Sequence, residues 1–112
     1  MNEEISFENF LKVDIRIATI IEVNDFKKAR KPAYQLKLDF GALGIKKSSA
    51  QITDLYTKEE LLNKKVAAII NFKPRQIANF MSECLILGVY NIDENVVLLQ
   101  ASKSVKNGEK VS

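Results

Sequence analysis

Two stretches of near-strict alternation constrain this chain more than anything else in it. In VDIRIATIIEV, Val13, Ile15, Ile17, Ile21 and Val23 fall on one side, with Asp14, Arg16 and Glu22 on the other. That is the two-residue repeat of a long strand with one face buried. YQLKLDFG repeats it, with Leu36, Leu38 and Phe40 pointing inward. Two half-buried strands so early in the chain require a sheet with an inside. Ile20 breaks the first pattern, an apolar residue on the polar face that spacing alone leaves without a place.

The remainder reads as further strands with little helix. Gly41 and Gly44 mark a turn into IKKSSAQI, a third strand with a mostly polar face. VAAIINF reads as a fourth strand, ECLILGVYN as a fifth and VVLLQ as a sixth, the last two separated by the turn residues Asp93, Glu94 and Asn95. Ser6 can cap a short helix that brings Phe7, Phe10 and Leu11 onto one face. Thr57 and Glu60 form a capping box, which predicts a second short helix over residues 58–63. At 112 residues the chain is expected to be one domain, residues 1–112. Five or six strands with the main helix between the third and fourth point to a mainly β OB-fold, a five-stranded Greek-key barrel. A short N-terminal helix and an additional C-terminal strand complete the expectation. Spacing alone also admits an SH3-like barrel or a small α+β roll.

The later strands are apolar on both faces, in 66–72, 85–89 and 96–99. A barrel wall has one inward face, so the outward set needs a cover. With Ile20 it forms an apolar patch large for a monomer. Self-association as a two-fold dimer is the simplest cover, and a chain of another protein is the competing one.

Several function classes are disfavoured. The chain has no histidine and a single cysteine, Cys84, so the commonest general base and a zinc ligand set are both missing. No catalytic residue, metal site or cofactor is expected, and Cys84 reads as a core residue in a reduced, cytoplasmic setting. No apolar run reaches membrane or signal-peptide length. Membrane insertion is not expected, and the chain is expected to start at Met1. The net charge of +3 hides an asymmetry: residues 27–75 carry twelve Lys/Arg against four Asp/Glu, while both flanks are acidic or near neutral. A basic middle suggests an anionic partner, against the alternative of a solvated lysine-rich exterior.

The stretch NFKPRQIANFMSE concentrates the candidates. Pro74 removes a backbone donor and biases Lys73 toward extended geometry, so the chain leaves its ladder there. Lys73 and Arg75 are expected at a strand edge, and Phe80 and Met81 on a loop followed by Ser82. Cations beside an aromatic at a barrel rim suit single-stranded or loop RNA, where phosphates meet Lys/Arg and bases stack on rings. The alternative is a proline turn with solvated charges and Phe80 as a lid. Lys31, in the basic loop after strand one, and Lys46, Lys47 and Ser49 on strand three add to this surface. Lys46 and Lys47 are adjacent in a strand, so both cannot face one way. The nucleic-acid candidates are therefore Lys31, Lys46, Lys47, Ser49, Lys73, Arg75 and Ser82. Phe72, Phe80 and Met81 are the candidates for holding an unfolded polypeptide, methionine being adaptable to many sequences.

The segments VDIRIATI, ARKPAYQLKLDFG, GIKKSSAQIT, LNKKVAAIINFKPRQIANFMSECLILG and the closing VVLLQ…NGEK resemble the tRNA-binding-domain family, and within it the CsaA-type secretion chaperones. The likeness runs from about Phe7 to the end. It extends to domains appended to methionyl- and tyrosyl-tRNA synthetases, although SSAQIT and ARKPA look like the chaperone branch. The resemblance implies an OB-fold homodimer without enzymatic activity that binds precursor polypeptides, contacts the SecA export motor and retains tRNA affinity. A dedicated tRNA-binding module or synthetase-associated factor is the alternative. Asn79 stands where the family usually has glycine, Lys73 replaces a frequent proline, and Met81 a frequent lysine.

Overall fold

The structure is a computed structural model that describes residues 2–112, so the expected start at Met1 lies outside the described residues. Five antiparallel strands form a nearly closed barrel in the order β3-β2-β1-β4-β7. They are β1 (Ile15–Asp25), β2 (Tyr34–Asp39), β3 (Ile45–Ala50), β4 (Lys65–Ile69) and β7 (Leu85–Ile86). Two hairpins accompany them, β5 (Arg75–Ile77) with β6 (Phe80–Ser82) and β8 (Gly88–Tyr90) with β9 (Val96–Leu98). This is the OB-type barrel, with α1 (Phe7–Leu11) at the N-terminus and α2 (Lys58–Leu61) between β3 and β4. Among the described residues no helix is long and apolar enough to cross a membrane.

Ile20 turns out to be core, and Ile21 does not. A β-bulge between Ile20 and Glu22 inserts one residue opposite the Lys37–Leu38 step of β2. The bulge flips side-chain parity partway along β1. Ala18 and Ile20 point in before it, and Ile20 is fully buried against Leu38. Val23 returns to the core opposite Leu36, while Ile21 is left exposed. Ile15 and Ile17 lie on the other face, beside a final extended segment. The Ile17 amide donates to Glu109 O, the Gly108 amide to Ile17 O and the Val111 amide to Ile15 O. Residues 108–111 thus occupy the β1 edge that β2 does not reach.

Phe40, Ile20, Leu36, Leu38, Leu61 and Val66 form the fully buried centre. Leu61 reaches it from α2, whose start is fixed by the capping box: the Glu60 amide donates to Thr57 Oγ1, and the Thr57 amide to Glu60 Oε1. Backbone bonds from Asn63 to Ile20 O and from Ile20 to Lys64 O seat the helix on β1. α1 also starts where expected, at Ser6, yet has no buried residue; Phe7 is 67% exposed, its ring 6.1 Å from that of Phe10.

Candidate functional site

The segment expected to be a loop is a hairpin. After Pro74 the chain pairs Arg75 with Ser82, Gln76 with Met81 and Ile77 with Phe80. Phe80 and Met81 therefore sit on a strand. Its turn is Ala78-Asn79, with the Gln76 amide group donating to Ala78 O at 2.8 Å. The left-handed residue is Ala78, at φ 49°, and not Asn79.

The barrel closes beside this hairpin. The outer edge of β3 has no strand partner in the main sheet, and residues 82–84 satisfy it. The Glu83 amide donates to Lys47 O at 2.8 Å, and the Lys47 amide to Glu83 Oε1 at 2.9 Å. The Ser49 amide reaches Ser82 Oγ at 3.3 Å. Ser48, the one fully buried polar side chain among the described residues, donates to Cys84 O at 2.9 Å. Burial pushes the Cys84 thiol up to about 12, despite a hydrogen bond from Ser48 and the nearby Lys46 charge, both of which act the other way.

Closure leaves a groove of about 390 Å³ between the hairpin and the end of β4. Lys73 and Arg75 supply its charge, Phe72, Ile77 and Leu85 its apolar surface, and Ser49 and Ser82 its hydroxyls. Phe72 and Leu85 are about half exposed, at 54% and 46%. Glu83 also lines it, with one carboxylate oxygen held by the Lys47 amide. A groove of this make-up can take an extended polymer two ways, through cations and hydroxyls on a phosphate backbone, or through apolar side chains on an unfolded peptide.

Five of the ten sequence-derived candidates meet here: Ser49, Phe72, Lys73, Arg75 and Ser82. Phe80 and Lys47 stand outside it and face each other, the ammonium 5.3 Å from the ring centroid. The Phe80 ring also meets Phe26, the centroids 5.5 Å apart. Met81 is exposed on the hairpin opposite Gln76. Lys46 shares the β3 face of buried Ser48, whereas Lys47 shares that of Ser49, as strand alternation demands. Lys31 lines a different hollow with Gln51 and Tyr90. Sequence reasoning missed Ile77, Glu83, Cys84 and Leu85 as groove residues. For Leu85 the signal was present, in a strand apolar on both faces. Among the described residues no three His, Cys, Asp or Glu side chains gather as a metal site requires.

Residues 15–110 match the family described as "Putative tRNA binding domain". The chaperone CsaA of Bacillus anthracis str. Ames superposes with a TM-score of 0.92 at 45% identity, over 98% of this chain and 100% of that one. A CsaA chaperone protein of Picrophilus torridus gives 0.91 at 51% identity, over 97% and 100%. A methionine–tRNA ligase of Pyrococcus horikoshii is 38% identical over 109 residues, which is 97% of this chain but 15% of the ligase.

Proposed function

The chain belongs to the tRNA-binding-domain family, and from that premise we propose that it is a CsaA-type binding protein without enzymatic activity. It acts as a cytoplasmic homodimer of single-domain chains that holds unfolded precursor polypeptides during export, contacts the SecA motor and binds tRNA. The groove carries this reading: Lys73 and Arg75 stand over an apolar surface made by Phe72, Ile77 and Leu85. The identity to CsaA chaperones over nearly the whole chain supports it.

The two binding activities differ in their dependence on salt. Phosphate contacts release counterions, so tRNA affinity falls steeply as salt rises. Peptide held by apolar contact resists moderate salt. The test is a salt titration of labelled tRNA and of an unfolded precursor against the same protein. Lys73→Glu combined with Arg75→Glu abolishes tRNA binding, and Phe72→Asp abolishes precursor binding. Unchanged tRNA affinity in the double variant removes the RNA role from this groove. Unchanged precursor binding in Phe72→Asp removes the chaperone role from it.

A second reading, a tRNA-binding module attached to or associated with a synthetase, is favoured by the similarity to methionine–tRNA ligases. The chain spans about 15% of the length of the ligases it matches. Copurification with a synthetase and no affinity for unfolded chains would select it.

A further inference from the structure

A second hollow, of about 610 Å³, shares no lining residue with the groove. Lys65, which lines it, opens β4, whereas Phe72 and Lys73 of the groove follow the strand's end. Arg16, which also lines the hollow, pairs with Ala68 of the same strand. Arg16, Lys65 and Lys106 supply three cations to this hollow, and Glu109 is the only carboxylate among its lining residues. We propose that the hollow holds a backbone phosphate of RNA, so that a bound RNA contacts the barrel at a second place besides the groove. This rests on the tRNA-binding reading given above.

Two segments meet closely beside the hollow. It lies between the 3-10 turn Gly41–Leu43 and the segment around Gly108. The two interlock through glycines at positive φ. A Cβ on Gly41 would come within 2.7 Å of Asn107 O, and one on Gly108 within 2.6 Å of Phe40 O. Its cations are placed as well. The Arg16 guanidinium is oriented by Asp14 Oδ1 at 2.6 Å and Gly108 O at 2.9 Å. The Lys65 ammonium donates to Val105 O, and an ammonium carries three donors. Lys106 is exposed and in none of the ion pairs among the described residues. Asp14 offsets part of the Arg16 charge, so Lys65 and Lys106 carry the attraction for an anion. The three cations come from sequence positions far apart, and only folding reveals them as a group.

Each neutralised phosphate has a measurable signature. The slope of log affinity against log salt falls by about one for every phosphate that a variant can no longer neutralise. Lys106→Glu is the test, because its exposed side chain supports no other part of the fold. Lys103→Glu is the control, an exposed lysine three residues away that does not line the hollow. tRNA affinity is measured by fluorescence anisotropy across a salt series. Lys106→Glu lowers the slope by about one and weakens low-salt binding several-fold, while Lys106→Arg keeps the slope and Lys103→Glu moves it much less. Equal effects of Lys106→Glu and Lys103→Glu, or an unchanged slope in Lys106→Glu, overturn the second phosphate site and leave the groove's role standing. Failure of the unsubstituted protein to bind tRNA overturns both.

Discussion

Phe72 and Phe80 are eight residues apart and equal candidates by sequence, but they have opposite situations. Phe80 packs against both Phe26 and Lys47, whereas Phe72 is 54% exposed over the groove. Phe80→Ala therefore costs about 2 kcal/mol in urea denaturation, and Phe72→Ala stays within about 0.5 kcal/mol. This is why Phe72→Asp, and not a change at Phe80, is the clean test of peptide binding. Cys84 gives a second residue-level expectation. Burial holds its thiol protonated up to about 12 in the fold, against 9.0 when exposed. The folded form thus keeps a proton that the unfolded chain gives up. Stability is intact below about pH 9 on this account and erodes as pH rises from there toward 12. Cys84→Ala removes that alkaline component from a denaturation series, and at neutral pH a thiol reagent labels native Cys84 far more slowly than unfolded chain.

At the level of elements, the capping box at α2 was readable because each partner lies three residues from the other. Thr57→Ala removes the acceptor for the Glu60 amide and lowers stability by about 1 kcal/mol by thermal or urea melting. Hydrogen bonds from the Thr57 backbone and side chain hold the Glu60 carboxyl below its ordinary 4.5. Its contribution is present above about pH 4.5 and is lost as pH falls through the lower folded value. Glu60→Gln flattens that acid limb. The main strands were legible in the same local way, from alternation and turn residues. The β1 bulge was not, because Ile20 and Ile21 are both apolar and only pairing with β2 decides which points inward. The β5–β6 hairpin was hidden for another reason. Three-residue strands beside a proline carry no periodic signal, and docking of residues 82–84 on β3 defines them. Half of the candidate site could be named in advance, since Lys73 and Arg75 flank Pro74. That Ser49 and Ser82 would meet followed only from barrel closure. Lys31 lies apart because its loop folds back from Phe26 to Ala33 and turns toward Gln51 and Tyr90.

The whole molecule carries apolar surface on its exterior. Ile17, Ala67, Leu99, Ala101, Val105 and Val111 line a shallow hollow of about 310 Å³ on the outer wall, and α1 leaves Phe7 and Leu11 exposed. These residues give the proposed dimer a surface to bury. Sedimentation is expected to return twice the chain mass, and Leu99→Asp to shift it toward one chain with the circular dichroism spectrum retained. A stable single copy for the unsubstituted protein would refute the dimer.

The pairing of residues 108–111 with Ile15 and Ile17 also sets a schedule for biosynthesis. One margin of β1 must wait, bare, until almost a hundred further residues have left the ribosome. The barrel is sealed by residues made long after β1, so the newborn protein passes through the same vulnerable, half-zipped condition as the polypeptides it is proposed to shelter.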